Sequence, residues 1–125
     1  MFKVLFILAL NTFPLRQQVY IFQLLQFHSM PQFIIIAQDY KDSEALNRRL
    51  AARPVHLERM RVEKAKGVFI MGGAKLNEQG NMYGSMLIVD LPDKTSVQNW
   101  IAADPYITDN VWETVEITLF RIADV

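Results

Sequence analysis

Five consecutive apolar residues, Phe33-Ile34-Ile35-Ile36-Ala37, leave no polar face on whatever element they form. β-Branched side chains favour extended backbone, and a run that is apolar on both faces predicts a central strand rather than a half-exposed one. Met86-Leu87-Ile88-Val89 is apolar on both faces too, within a longer strand predicted over 82–91. A chain with two such strands must cover both sides of a sheet.

The other elements follow in order. Residues 39–42 form a polar turn, after which Asp42 or Ser43 is placed to cap a helix. Leu46, Leu50, Leu57 and Met60 recur at near-helical spacing, and Gly67 ends that helix. Pro54 falls in its middle, which predicts a kink, or a split with Pro54 in the first turn of a second helix. Residues 68–71 read as a second strand running into Gly72-Gly73, followed by a hairpin loop over 77–81 in which Gly80 takes positive φ. Pro92-Asp93 opens a helix over 95–103 with Val97, Trp100 and Ile101 as its apolar stripe, and Asp104-Pro105 ends it. Over 112–122, Thr114, Glu116 and Thr118 alternate with Val115, Ile117 and Leu119, the pattern of a fourth strand.

The order β-α-β-β-α-β is the ferredoxin-like α+β arrangement, a four-stranded antiparallel sheet with two helices on one face. Two helices leave the other face bare. Its apolar residues predict a homodimer packed sheet to sheet.

Composition narrows the function classes. A chain of 125 residues is one domain with room for an apolar core. Its 13 basic residues balance its 13 acidic ones, so no net charge draws it to nucleic acid or anionic membrane. The five arginines of the first long helix (48, 49, 53, 59 and 61) alternate with Glu44, Glu58 and Glu63, which reads as a solvated, ion-paired face. With no cysteine, there are no disulfides and no thiolate chemistry, as a reducing cytoplasm allows.

Residues 1–29 differ from the rest. They carry Lys3 and Arg16 and no acidic residue, leaving 11 basic against 13 acidic groups beyond them. The apolar run 4–10 behind Lys3 outlines a secretion signal but ends at Asn11-Thr12 with no small-x-small cleavage site. A membrane span needs about 20 apolar residues, and Pro14, Arg16, Gln17 and Gln18 interrupt this stretch. We expect an extension outside the functional domain, with a natural start at Met30 and the domain over 30–125.

Chemistry centres on two proline-flanked residues. Arg53-Pro54-Val55-His56-Leu57 places an imidazole on the long helix, and Asp104-Pro105-Tyr106 supplies a carboxylate. An imidazole moves protons near neutral pH when a carboxylate on its other nitrogen fixes tautomer and orientation. With Pro54 opening a helical turn, the positive helix end would disfavour imidazolium at His56, and Asp104 would oppose that effect. Ser85 and Tyr106 offer hydroxyls, and Arg53 offers a fork for a carboxylate or phenolate. Asp104 before Pro105 is equally the pattern of an N-cap, and a helical His is by default half-exposed. Gly72-Gly73 matches no phosphate loop, and His28 and His56 have no recognised metal-ligand spacing.

These pieces in this order, together with the Met30-Pro31-Gln32-Phe33 start, Gly72-Gly73 and Gly84-Ser85, resemble the YciI-like (YCII-related) family over residues 30–125. Residues 1–29 have no counterpart. The resemblance implies a ferredoxin-like fold of the dimeric α+β barrel superfamily, with His56 and Asp104 as the family's His/Asp centre and Ser85 as a nearby family serine. The superfamily includes muconolactone isomerases and a dehydrochlorinase of a chlorinated hydroxyhydroquinone. By that resemblance the chain is expected to be a lyase- or isomerase-like enzyme needing no cofactor, with His56 as general base, Asp104 as its orienting partner, and Arg53, Ser85 and Tyr106 binding the substrate. The rivals are a dimeric module that binds a small ligand without transforming it, and a structural dimer in which His56 and Asp104 only satisfy each other.

Overall fold

A computed structural model of the chain describes residues 11–27 and 30–125, so the apolar run at 4–10 and His28 lie outside the described residues. Helix α1 (Leu15–Phe27) precedes the first strand. Then come β1 (Gln32–Asp39), α2 (Ala45–Ala65), β2 (Phe69–Leu76), β3 (Met82–Asp90), α3 (Lys94–Ala102), α4 (Pro105–Thr108) and β4 (Trp112–Phe120). The strands form one antiparallel sheet in the order β2-β3-β1-β4. The two strands apolar on both faces occupy the centre, as expected of the ferredoxin-like α+β fold.

Burial alternates strictly along β1. Phe33, Ile35, Ala37 and Asp39 point toward the helices, and Ile34 and Ile36 toward the bare face. The core gathers Phe33, Ile35, Leu87 and Val89 from the sheet with Val97 and Ile101 from α3. A register shift between Gln38 and Asp39 pairs Asp39 with Trp112, which brings both to the same end of the sheet.

Turn chemistry acts where local sequence demands it. Gly67, at φ +77°, lies just beyond the last residues of α2. The Gly67 and Val68 N–H groups return to the carbonyls of Lys64 and Glu63, closing a Schellman motif. Gly80 turns the β2–β3 hairpin at φ +81°, and Asp93 caps α3 by accepting from the Ser96 N–H at 2.7 Å.

Helix α2 departs from expectation in three ways. Pro54 neither splits it nor opens a second helix, because α2 runs unbroken from Ala45 to Ala65. Proline removes its own N–H and crowds the carbonyl four residues back, and here both Pro54 and Leu50, whose carbonyl loses its partner, lie on the solvent side, where water can hydrate that oxygen. Neither Asp42 nor Ser43 caps the helix. Glu44 holds the N-cap position, and the Asp42 carboxylate is drawn off to both Nη groups of Arg48, at 2.8 and 2.7 Å, while also accepting from the Glu44 N–H. The inward stripe is Ala45, Arg49, Ala52, His56 and Met60 rather than the leucines, and Leu50 is exposed.

Candidate active site

The stripe of α2 that meets the sheet carries Arg49 and His56, seven residues or two turns apart on one face. His56 therefore sits mid-helix, and the helix-end charge expected to act on it is absent. Only 7% of the residue is exposed.

Asp104 reaches it from the α3–α4 corner. The residue before Pro105 takes extended backbone, and its carboxylate caps α4 by accepting from the Tyr106 N–H at 2.9 Å. The same carboxylate meets His56 Nδ1 at 2.9 and 3.1 Å and accepts from Arg59 Nη1 at 2.7 Å. Capping and partnering are thus one arrangement, with three donors converging on one buried group. Burial pushes the Asp104 carboxyl up, but the His56 hydrogen bond and charge, with those of Tyr106 and Arg59, outweigh it and hold it below its usual range. An ionised carboxylate only accepts, so Nδ1 carries a proton, and whenever the ring is neutral Nε2 is left with its lone pair. That is the tautomer a general base requires.

Aromatic rings frame the imidazole. Tyr106 stacks on it with centroids 3.9 Å apart and 14° between planes, and Trp112 meets both rings edge-on. The Arg49 guanidinium lies 4.7 Å from the Tyr106 centroid, so the phenol ring spans the gap between two helix positions two turns apart. Burial pushes the Tyr106 hydroxyl up against the opposing charges of Arg49 and Arg53, which keeps it a proton donor at neutral pH.

Arg49 and Arg59 are missing from the sequence-based site, and both leave the solvated face assigned to them. Arg49, only 2% exposed, bridges both oxygens of Asp39 from Nη1 at 2.8 and 3.0 Å and donates from Nη2 to Ser85 Oγ at 2.8 Å. Trp112 Nε1 donates to the same Oγ at 3.1 Å. Arg59, besides holding Asp104, donates to the Trp100 carbonyl at 2.6 Å and covers the Trp100 ring. The available signal was the seven-residue step from Arg49 to His56, which puts them on one face only if the helix continues through Pro54.

Beside this cluster lies a cavity of about 300 Å³, lined among others by Arg49, Arg53, His56, Ser85 and Tyr106. Four of the five expected site residues therefore share it, and Asp104 stands behind His56. Leu57, Met60, Phe69 and Leu87 give it apolar wall. Arg53, Arg61 and Lys64 also line it, and no carboxylate does among the described residues. The space suits a small anion with an apolar body. Among the described residues no group of three His, Asp or Glu is placed to hold a metal ion.

Comparison with known proteins agrees with this architecture. Protein YciI of Escherichia coli O6:H1 is 33% identical over 95 residues, covering 71% of this chain and 95% of that protein. Protein YciI of Shigella flexneri matches equally. Among solved structures, the 5-chloro-2-hydroxyhydroquinone dehydrochlorinase TftG of Burkholderia phenoliruptrix AC1100, in complex with 2,5-dihydroxybenzoquinone, shares the fold at a TM-score of 0.63 and 21% identity, covering 74% of this chain and 95% of that one. Residues 32–121 match the YCII-related domain, and the chain belongs to that family.

Proposed function

We propose that the chain is a cofactor-independent enzyme of lyase or isomerase type that moves a proton on a small anionic, ring-derived substrate. His56 Nε2 is the general base, Asp104 orients it and balances the charge it gains, Arg53 anchors the substrate's anionic group, and Ser85 and Tyr106 line the pocket. One observation carries this reading: the 2.9 Å contact between Nδ1 of His56, a residue that lines the cavity, and Asp104. A positioned base of this kind contributes roughly 10²–10⁴-fold in rate. The dehydrochlorinase activity of the TftG structure, a lyase reaction on a hydroxylated ring, supports the choice of class.

We propose further that residues 30–125 are the functional unit, acting in the cytoplasm as a homodimer. Ile34, Ile36 and Met86 sit half-buried on the face without helices, beside Met71, which is 53% exposed. A second copy packed on that face would remove this apolar surface from water.

The test is proton exchange. Small hydroxylated aromatic and ring-cleavage acids are incubated with the protein in D2O, and C–H to C–D exchange is followed by NMR. The wild type should exchange at least one of them, and His56→Ala, checked for folding by circular dichroism, should not. Equal exchange by both proteins would sink the assignment of His56. Ligand-dependent thermal stabilisation without exchange would favour the binding module, and a loss of stability alone would favour the structural pair.

A further inference from the structure

The hydroxyl of Ser85 has its direction fixed by its neighbours. Oγ is held by Arg49 Nη2 at 2.8 Å and Trp112 Nε1 at 3.1 Å. Guanidinium and indole N–H groups donate and never accept, and a hydroxyl has two lone pairs and one proton. Both lone pairs are therefore taken, and the proton has no acceptor in either neighbour. Ser85 is buried yet lines the cavity, so an occupant of the cavity can offer that proton an acceptor.

We propose that Ser85 is an obligate hydrogen-bond donor, with Arg49 and Trp112 behind it, forming a subsite for the carbonyl, phenolate or enolate oxygen of a small ligand. The arrangement is built rather than incidental. Asp39 neutralises Arg49, so the guanidinium stays buried at no net charge while still polarising the hydroxyl through a chain of hydrogen bonds. With the His56 ring neutral, the lining of the same cavity then offers two opposite polarities, the acceptor His56 Nε2 and the donor Ser85 Oγ–H. A ligand that satisfies both carries an acidic hydrogen and an oxygen able to take up negative charge. That pairing is the one enolisation or phenol tautomerisation needs, because donors aimed at a developing oxyanion are worth most in a site shielded from water. The substrate class thus deepens the proton-transfer reading of this site, but the donor itself can be tested without turnover.

The probe is 4-nitrophenolate, whose visible band moves to shorter wavelength when its phenolate oxygen receives a hydrogen bond. With the full chain at mildly alkaline pH, saturable binding is expected, with the bound band shifted to shorter wavelength relative to that of the probe bound to Ser85→Ala. Ser85→Ala should bind roughly tenfold or more weakly, the loss expected for a hydrogen bond to a charged oxygen. Should Ser85→Ala unfold because two donors lose their acceptor, Ser85→Cys, a weaker donor that still accepts, should reduce both affinity and shift. Equal affinity and an equal shift in wild type and the folded variants would overturn the proposal, as would no binding by wild type at millimolar probe. Failure of proton exchange in D2O with the phenolate shift intact would instead count against His56 as base and leave the donor subsite standing.

Discussion

The imidazole of His56 lies flat against the phenol ring of Tyr106, centroids 3.9 Å apart, while its Nδ1 is held by the residue two before that tyrosine. One short segment therefore fixes the ring in plane, by stacking, and in rotation, by hydrogen bond. Asp104-Pro105-Tyr106 works as a unit because Pro105 sets the extended backbone that lets the Asp104 carboxylate cap α4 and still face α2.

Replacing Asp104 should separate stability from chemistry. Asp104→Ala removes the anion opposite His56 and Arg59, and should cost about 3–5 kcal/mol in urea unfolding, the range for breaking a buried pair. Asp104→Asn keeps the shape but can donate to Nδ1, which would move the proton to Nε2. Exchange activity should then fall by roughly 10³–10⁴, as for the wrong tautomer in a serine-protease triad. An Asn variant with unaltered exchange would show that the tautomer does not matter.

Acid should weaken the fold partly through the same group. The Asp104 carboxyl is held lower in the folded state than the unfolded value of about 3.9. Its contribution is therefore present above that value and lost as pH falls through the folded one, so stability from this group declines below about pH 4. Asp39, pushed up by burial against the opposing charge of Arg49, contributes in the opposite sense. Subtracting the pH profile of Asp104→Asn from that of the wild type isolates the Asp104 part, and a flat difference would contradict it.

Adjacent glycines should respond differently. A Cβ on Gly72 would lie 2.5 Å from the Met86 carbonyl oxygen and 3.0 Å from Leu87 Cα, both backbone, whereas one on Gly73 meets nothing within 4 Å. Gly72→Ala must pry β2 from β3 and should cost about 2 kcal/mol or more, while Gly73→Ala stays within about 0.5 kcal/mol. Chemical denaturation of the pair decides it, and equal costs would mean that the β2–β3 ladder yields.

Pro54→Ala should stabilise. A proline inside a helix is worth about 3 kcal/mol less than alanine, offset in part by the stiffer unfolded chain, so a net gain of about 1–2 kcal/mol is expected. Since Pro54 faces solvent, His56 should keep its contact with Asp104. A fall in melting temperature would show that the ring itself packs productively.

What the sequence determined by itself was local or periodic. Phe33–Ala37 and Met86–Val89 marked the two central strands because a side chain's face in a strand depends only on parity. Gly67, Gly80 and Asp93 marked ends and turns because positive φ and capping are properties of one or two residues. His56 and Asp104 were legible as a pair through their motifs and the family resemblance, though 48 positions separate them. The tertiary structure decided what depends on how a helix is rotated against the sheet. It kept α2 continuous through Pro54, turned Leu50 outward, and drew Arg49 and Arg59 in from what looked like a solvated charge face. An arginine carries the same side chain whether it faces water or Asp39. Only the packing of α2 over β1 and β3 brings Asp39, Ser85 and Trp112 within reach of one guanidinium network, and with it comes the donor residue that lines the cavity.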